Sequence, residues 1–453
     1  MNAWYLASTF YEPYLMLEST ADATTGNCCW VRFMNMEPRI PFINEPDGGE
    51  QNAIRAWEMN YAAISDAADA IRALDYGIEV GDGADATART RAAALFALAG
   101  AHANLALLFD SAFVNTGAGE SGADSVFRGY AEVRDSALAL WDELIALTEN
   151  ASWQWDYTTL PTPEPITADR LNRIASTMAA RTLLLASRTA AENSRNQWAR
   201  ILAYANGGIS GHGSFDMDFA IVNDIVDWRN YIALYGPFAD RFRVDQRLIH
   251  RMAPNIPATF NGLGTQPLPL PQDARLAIAN LPCTVNPLTC TEGITADYVY
   301  IGTVVGDPLR GVYMQSPFWH RRYVRSSWMV TDDATAWEAR SAYVLAAEND
   351  LMIAEALAHT NGDLSRAAAL VNRTHVTRGG LPPVAATVAA ILAGVDYERD
   401  VELLNTGGIA LFDRRRVDGL QPGTIRHLPV PARVYEGLGR TRYTYGGVGN
   451  RDM

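Results

Sequence analysis

The sequence predicts a mainly α-helical protein built from helical hairpins and interrupted by one long irregular segment. Apolar residues recur at helical spacing over 50–206 and again over 337–375, and glycine-containing breaks separate the successive helices. Between them, residues 207–336 lose this periodicity and are rich in proline, glycine and aromatic residues. With 453 residues and 48% apolar composition, the chain is long enough to bury a substantial core.

The N-terminal half predicts two helix pairs and a shorter fifth helix. One face of the first helix carries Trp57, Tyr61, Ile64, Ile71 and Leu74. An Ala-rich partner follows after a glycine-rich break, and the shorter helix ends at Asn206-Gly207-Gly208. The later helices are expected over 91–113, 130–149, 168–189 and 197–205. A hairpin of helices, and not a strand crossover, is therefore the repeating unit.

A further hairpin is predicted near the C-terminus. The residues expected on the buried face of its first helix are Tyr343, Leu345, Leu351, Ile353 and Leu357. Asn361-Gly362 can end that helix with a left-handed residue, and Asp363 can cap the next one. The second helix would bury Leu364, Ala367, Leu370 and Val371.

The segment 207–336 is predicted to be a partly irregular insertion laid against the helical scaffold. It contains short possible strands, such as 297–305. Loops of this length are usually functional when they are ordered.

Charge and composition exclude several classes of function. The net charge of −14 and pI near 5.0 disfavour nucleic acids and anionic membranes as partners. All 37 basic residues are arginine. Schiff-base enzymes, Walker-type phosphate loops and kinases each need a lysine, so all three are disfavoured.

The sequence marks no catalytic or metal centre. Its seven histidines are scattered, and none lies in a local motif with a nucleophile or a metal ligand. Asp216 and Asp218 carry oxygen ligands suited to calcium, but no EF-hand spacing accompanies them. No sequence motif identifies an acidic pair for glycoside hydrolysis, although the two carboxylates of such a pair need to be close only in the folded structure and not in the sequence. We therefore predict no enzyme activity, no cofactor and no metal.

The four cysteines form two groups. Cys283 and Cys290 bracket a short loop, CTVNPLTC, where a disulfide would replace secondary structure as the constraint. That bond would indicate an oxidising exterior. Cys28 and Cys29 are adjacent, so either a strained ring or two free thiols is possible.

The first ten residues, MNAWYLASTF, have neither a basic start nor an apolar stretch long enough for a secretory signal. No transmembrane helix is evident from the sequence.

Three separated motifs near the C-terminus resemble one family. They read RSAYVLAAENDLMIAEALAHTNGDLSRAAALVN, ERDVELLNTGGIALFDRRR and RHLPVP. Their order is similar to that of the SusD/RagB outer-membrane nutrient-binding lipoproteins. Thr406-Gly407 stands where the family has Glu-Gly, Ile409 where it commonly has Arg, and Asp413 is displaced by one, as in a divergent member. The matching residues are Glu348, Ala354, Glu355, Asn372, Glu398, Arg399, Glu402, Leu403 and the turn 428–431.

The resemblance implies a single domain over 1–453 with a tetratricopeptide-like scaffold. Its parts would be N-terminal hairpins over 50–206, the insertion over 207–336, and the C-terminal hairpin with closing motifs over 337–431. Members capture an oligosaccharide or peptide and pass it to a SusC-like TonB-dependent transporter. The chain would then act on the outward face of the outer membrane, lipid-anchored through an N-terminus absent from this sequence, or outside the cell.

Aromatic residues outside the regular helices are the candidate ligand contacts, because their rings stack on sugars and leave a polar edge for hydroxyls. Trp153, Trp155 and Tyr157 alternate along a loop and would project on one side. The alternative for each ring is that it pins an irregular loop onto the scaffold. The candidates are Trp30, Trp153, Trp155, Tyr157, Trp228 and Tyr231.

The charged residues of the C-terminal motifs are expected to be architectural. The run Arg414–Arg416 is predicted to be a solvated, ion-paired helix end. Glu348, Glu355 and Glu402 would cap backbone amides or pair with Arg373 and Arg399.

The function expected from these observations is cell-surface binding of a glycan for uptake, without catalysis. A structural or assembly protein built on the same scaffold is the main alternative, with possible self-association. A hydrolase hidden in the insertion is the third.

Overall fold

The computed structural model describes most of the chain. The described residues are 1–9, 11–26, 34–46, 51–81, 83–117, 126–156, 159–210, 214–220, 230, 242–260, 267–281, 283, 287–304, 313, 315–322, 340–407 and 409–449.

Helices dominate the described residues, as the sequence predicts. The longest helices pack as neighbours in chain order, so that each forms a hairpin with the next. The helices of the first half are α1 (Asn2–Thr9), α2 (Tyr11–Thr20), α3 (Gln51–Asp75), α4 (Ala84–Leu108), α5 (Tyr130–Thr148), α6 (Ala168–Leu185), α7 (Ala190–Ser194) and α8 (Trp198–Asn206). The later ones are α9 (Gln246–Met252), α10 (Pro287–Cys290), α11 (Ala346–His359), α12 (Leu364–His375), α13 (Val388–Val401), α14 (Ala410–Arg416) and α15 (Ala432–Gly437).

The strands are short and form small separate sheets. They are β1 (Thr24–Gly26), β2 (Ser111–Ala112), β3 (Arg128–Gly129), β4 (Gln154–Trp155), β5 (Ile166–Thr167), β6 (Met217–Ala220), β7 (Phe242–Val244), β8 (Leu276–Ile278), β9 (Tyr298–Tyr300), β10 (Phe318–His320) and β11 (Arg340–Val344). Four antiparallel pairs join β1 to β7, β2 to β3, β4 to β5 and β6 to β11. The three-stranded sheet has the order β10-β9-β8, with β8 parallel to β9.

The core runs along α4, the Ala-rich partner predicted from the sequence. This helix is long and apolar enough to span a membrane, but 89% of its most apolar 18-residue stretch is buried inside the protein. Gly100 lies where α1 crosses α4, and a Cβ placed there would stand 2.2 Å from Nε1 of Trp4. Glycine is therefore required for the close approach, and it lets the Trp4 ring meet Phe96 edge to face.

The C-terminal hairpin confirms most of its prediction and corrects its beginning. Asn361 adopts the left-handed conformation with φ of 50°, and the Asp363 side chain accepts a hydrogen bond from the backbone N–H of Arg366. Residues 340–344, however, form strand β11 instead of the first helical turn, because they pair with β6 far earlier in the chain. Tyr343 is buried, but it belongs to strand β11, and helix α11 begins only at Ala346.

The insertion carries its own small core against the scaffold. Tyr298 and Phe318 from the three-stranded sheet pack with Leu248 of α9 and Val401 of α13. The predicted strand over 297–305 is present as β9 only. The predicted disulfide between Cys283 and Cys290 is formed, with their Cα atoms 5.6 Å apart.

Buried ion pairs join the C-terminal motifs to the rest of the fold. Arg181 on α6 donates two hydrogen bonds of 2.7 Å to the carboxylate of Glu348, and neither side chain is more than 5% exposed. Arg275 binds Glu398 at 2.8 Å and Glu402 at 2.9 Å. The architectural role predicted for the glutamates is therefore present.

The prediction for the arginine run is wrong, because this helix end is enclosed and not solvated. Arg416 binds the carboxylate of Glu355 through two hydrogen bonds of 2.6 and 3.0 Å. Arg415 is completely buried and donates to the backbone carbonyls of Leu107 and Leu185, which lie at the C-terminal ends of α4 and α6. Arginine can satisfy several carbonyls at helix ends at once, so a charge run in the sequence does not identify a solvated surface.

The predicted pairing partners are also partly corrected. Arg399 lies 3.2 Å from Glu355, as expected, and donates to Asp413 as well. Arg373 binds Asp350 instead of a motif glutamate.

We expect Glu355→Ala to lower the free energy of unfolding by about 3–5 kcal/mol, because it leaves the Arg416 and Arg399 charges buried with less compensation. Urea unfolding monitored by circular dichroism measures this change. Glu58→Ala, at an exposed position on α3, is the matched control and should change stability by less than about 0.5 kcal/mol. Equal effects of the two variants would contradict the architectural role of Glu355.

A second stability prediction concerns Glu18 on α2, whose carboxyl group is buried, with 1% of the residue exposed. Burial raises its pKa to about 8, against the opposing charge of Arg414. The folded state then holds a proton that the unfolded state releases near pH 4.5, so stability falls as the pH rises between these values.

Glu18→Gln removes this titration while keeping the shape of the side chain. Relative to the parent chain, we expect the variant to gain roughly 2–4 kcal/mol of stability between pH 5 and pH 8. Denaturant titrations at both pH values test this, and a stability difference that does not change with pH would refute it.

Candidate functional site

Two of the predicted ligand-binding tryptophans are core residues. Trp153 is 7% exposed and Trp155 is 2% exposed. The Trp155 ring packs edge to face on Phe96 of α4, and its Nε1 donates to the backbone carbonyl of Arg89. Both rings do project on one side, but that side faces the scaffold. The prediction that they form a ligand platform is therefore corrected, and the alternative that they pin the loop applies to both.

The other predicted contacts, Trp30, Tyr157, Trp228 and Tyr231, lie outside the described residues, as do Cys28 and Cys29. The structure does describe several residues that lie near these candidates in the sequence. Strand β1 ends at Gly26, just before Trp30, and strand β7 begins at Phe242 and pairs with β1. Asn230, next to Trp228 and Tyr231, is buried and donates to Ser341 of β11. These candidates therefore stay predictions.

A surface pocket lies beside the loop that carries the buried tryptophans. Strands β4 and β5 form a hairpin, and residues of its tip face the segment that leads into β6. The pocket is a shallow, open surface groove with a cavity volume of only about 20 Å³. We call it the hairpin groove, and its polar and aromatic lining consists of Thr162, Glu164, Arg170, Phe215, Asp216 and Asp218.

An aromatic ring and a guanidinium form the centre of the groove. The Arg170 guanidinium lies 4.3 Å from the centroid of the Phe215 ring, and its Nη1 donates to Glu164 at 2.8 Å. Arg170 belongs to the first turn of α6, where Thr167 caps the helix. Its position is thus fixed by the scaffold, while Glu164 comes from the hairpin tip. Planar polar groups beside an aromatic ring are suited to hydroxyl-rich ligands.

One wall of the groove is tied to the C-terminal motif helix. The Asp216 carboxylate accepts a hydrogen bond of 2.7 Å from the backbone N–H of Ala346, the first residue of α11. This contact caps α11 and places a carboxylate at its N-terminus, where the helix dipole stabilises a negative charge. Asp216 thus serves as a structural cap, and Asp224 and Asp227, which also carry oxygen ligands suited to calcium, lie outside the described residues. Within the described residues, no group of three or more acidic, histidine or cysteine side chains is arranged to hold a metal ion.

The buried histidines have structural surroundings. Burial lowers the pKa of His102 to about 4, and that of His320 to about 3. Nδ1 of His102 bonds to the carbonyl of Leu98 at 2.8 Å, so the proton lies on Nδ1 and Nε2 accepts from the backbone N–H of Asn115. His102 is thereby occupied in joining α4 to the segment after it.

Sequence reasoning missed Phe215 and Arg170. Phe215 lies just after the glycine-rich break at 207–213 and next to two aspartates, so an aromatic residue in an acidic, irregular segment was the available signal. Arg170 sits in a predicted helix, and nothing in the helical pattern distinguishes it from its solvated neighbours.

The fold is similar to that of solved SusD-like proteins. A SusD superfamily protein from Bacteroides vulgatus superposes with a TM-score of 0.61 at 14% identity, covering 99% of this chain and 97% of that chain. The surface glycan-binding protein A from Bacteroides thetaiotaomicron, solved in complex with laminarihexaose, gives 0.59 at 14% identity, covering 98% of each chain. A SusD-like carbohydrate binding protein from Bacteroides vulgatus gives 0.60 at 15% identity, covering 91% of this chain and 81% of that one.

No family model and no curated protein matches the sequence. The structural similarity nevertheless extends over nearly the whole chain, and the chain has the SusD-like fold. The resemblance expected from the C-terminal motifs is thereby confirmed at the level of the fold, with the low identity of a divergent member.

Proposed function

We propose that this protein is a member of the SusD/RagB family that binds a glycan at the cell surface and passes it to a SusC-like TonB-dependent transporter. The observation that carries the proposal is the match, over 98% of both chains, to a surface glycan-binding protein solved with laminarihexaose. A second neighbour is described as carbohydrate binding. Binding would leave the glycan intact.

The hairpin groove is the described surface that best suits this role. Phe215 supplies an apolar ring that is half-buried and held next to Arg170. The candidates Trp30, Tyr157, Trp228 and Tyr231 would extend the same binding function, and Tyr157 follows β4 closely in the sequence. Helix α6 holds Arg170 in a fixed position, which reduces the entropy lost on binding.

Calorimetric titration of the full chain with a panel of neutral oligosaccharides, including laminarihexaose, tests the proposal. We expect saturable binding and recovery of the unchanged ligand by chromatography. Because the described tryptophans are buried, heat is a better signal than quenching of tryptophan fluorescence. Hydrolysis of the ligand would instead indicate an enzyme. Absence of binding across the panel, together with growth of particles in light scattering, would favour the assembly role.

Phe215→Ala tests the groove itself. We expect it to weaken oligosaccharide binding about tenfold, since the loss of an aromatic contact corresponds to roughly 1–1.5 kcal/mol. Tyr76→Ala, which removes a ring that is 82% exposed on another surface, is the control and should bind normally. Arg170→Ala should weaken binding in the same way, whereas Arg173→Ala on the same helix should not. Unchanged affinity in both groove variants would place the glycan elsewhere.

A further inference from the structure

A second pocket lies between helices α11, α13 and α14 and shares no lining residue with the hairpin groove. Its cavity volume is about 210 Å³, below the roughly 300–1,000 Å³ typical of sites for drug-sized molecules, so it suits only a small ligand. We call it the C-terminal pocket. The lining residues that matter for its chemistry are Glu355, Leu392, Val395, Arg399, Arg416 and Val417.

One wall of the C-terminal pocket is apolar. Leu392 and Val395 are three residues apart on α13 and therefore share one helix face. Val417, just beyond α14, is 44% exposed. Leu392 is half-buried, whereas Val395 is a core residue with 2% exposed, so the accessible apolar surface of this wall comes from Leu392 and Val417. It can accept the side chain of a small ligand.

The floor of the pocket is a fixed array of opposite charges. Arg416 binds both oxygens of Glu355, and Arg399 binds both oxygens of Asp413 at 3.0 and 3.1 Å. Because each group is held by its partner, the charges cannot rearrange freely. A ligand would meet a preorganised pattern of positive and negative groups.

The floor also retains unused hydrogen-bond donors. Within the described residues, Nε and Nη2 of Arg399 form no hydrogen bond, although Nη2 lies 3.2 Å from Glu355. Both nitrogens are enclosed beneath the floor, so a ligand in the pocket would meet the positive charge of this guanidinium and not these two donors.

The charges around the pocket balance. The carboxylates of the lining are Glu355, Asp396, Asp400 and Asp413, and the guanidiniums are Arg399, Arg414 and Arg416. Arg251 adds a fourth positive charge through its ion pairs with Asp396 and Asp400. A ligand with a net charge would therefore meet as many repulsive as attractive groups. A ligand that carries both signs would be complementary to the array.

We propose that the C-terminal pocket binds a small zwitterion with an apolar side chain, that is, a free α-amino acid such as leucine. Its carboxylate would face the arginines, its ammonium the aspartates, and its side chain the wall of Leu392, Val395 and Val417. A sugar fits less well, because the described residues of the lining include no phenylalanine, tyrosine or tryptophan ring on which to stack. This site is independent of the glycan site proposed above.

The test uses the full chain with three matched ligands: L-leucine, N-acetyl-L-leucine and L-leucinamide. The second lacks the ammonium charge and the third lacks the carboxylate charge. Calorimetry should show saturable binding of leucine and at least tenfold weaker binding of both analogues. Leucine should also raise the midpoint of thermal unfolding. No binding of leucine at millimolar concentration, or equal binding of all three ligands, would overturn the proposal.

Two variants locate the site. Leu392→Trp fills the pocket from its apolar wall, and we expect it to abolish leucine binding while preserving the circular dichroism spectrum. Leu438→Trp adds the same ring at a position that is 47% exposed and outside the pocket, so it should bind leucine like the parent chain. Leucine binding that survives Leu392→Trp would also overturn the proposal. Titration of each variant with laminarihexaose separates this outcome from a failure of glycan binding.

Discussion

Buried pairing of arginine with carboxylate is the interaction on which this fold depends. Each pair joins elements that are distant in the sequence, and each is enclosed, so that removing one partner leaves an uncompensated charge in a low-dielectric interior. Arg181 binds Glu348 between α6 and α11, Arg416 binds Glu355 between α14 and α11, and Arg275 binds Glu398 and Glu402 between the insertion and the end of α13. Helix α11 is thus linked by charge to both halves of the molecule.

The same helix connects this network to the candidate glycan site. Asp216 of the hairpin groove caps the first residue of α11, and Glu348 lies in the first turn of the same helix. The groove is therefore linked directly to a helix that buried ion pairs hold in place. Its other wall, the β4–β5 hairpin, is anchored by the buried rings of Trp153 and Trp155. Loops that carry recognition residues are held in this way by rigid elements in many binding proteins.

Much of the scaffold could be predicted from the sequence, because its signals are local. The helix face of α3, the left-handed Asn361, the Asp363 cap and the disulfide of Cys283 with Cys290 each depend on residues close together in the chain. The order of the C-terminal motifs indicated the fold family. Features that depend on contacts between residues far apart in the sequence were harder to predict. Strand β11 was expected to be helical, because its partner β6 is far away in the sequence.

Side-chain direction was the main obstacle at the site. Alternation placed Trp153 and Trp155 on one side of their loop, but no local signal tells which side meets the core. The charges of Arg415 and Arg416 predicted a solvent-exposed helix end, whereas helix carbonyls and Glu355 enclose these two side chains. The groove itself unites Arg170 from a helix with Phe215 from the insertion, and only the packed fold brings them together.

Hydrogen–deuterium exchange of the full chain with and without laminarihexaose would report where a glycan binds as well as whether it binds. We expect slower exchange in the backbone around 159–167 and 214–218, with helices α11 to α13 unchanged. Protection confined to those helices, with none at the hairpin groove, would contradict glycan binding at the groove.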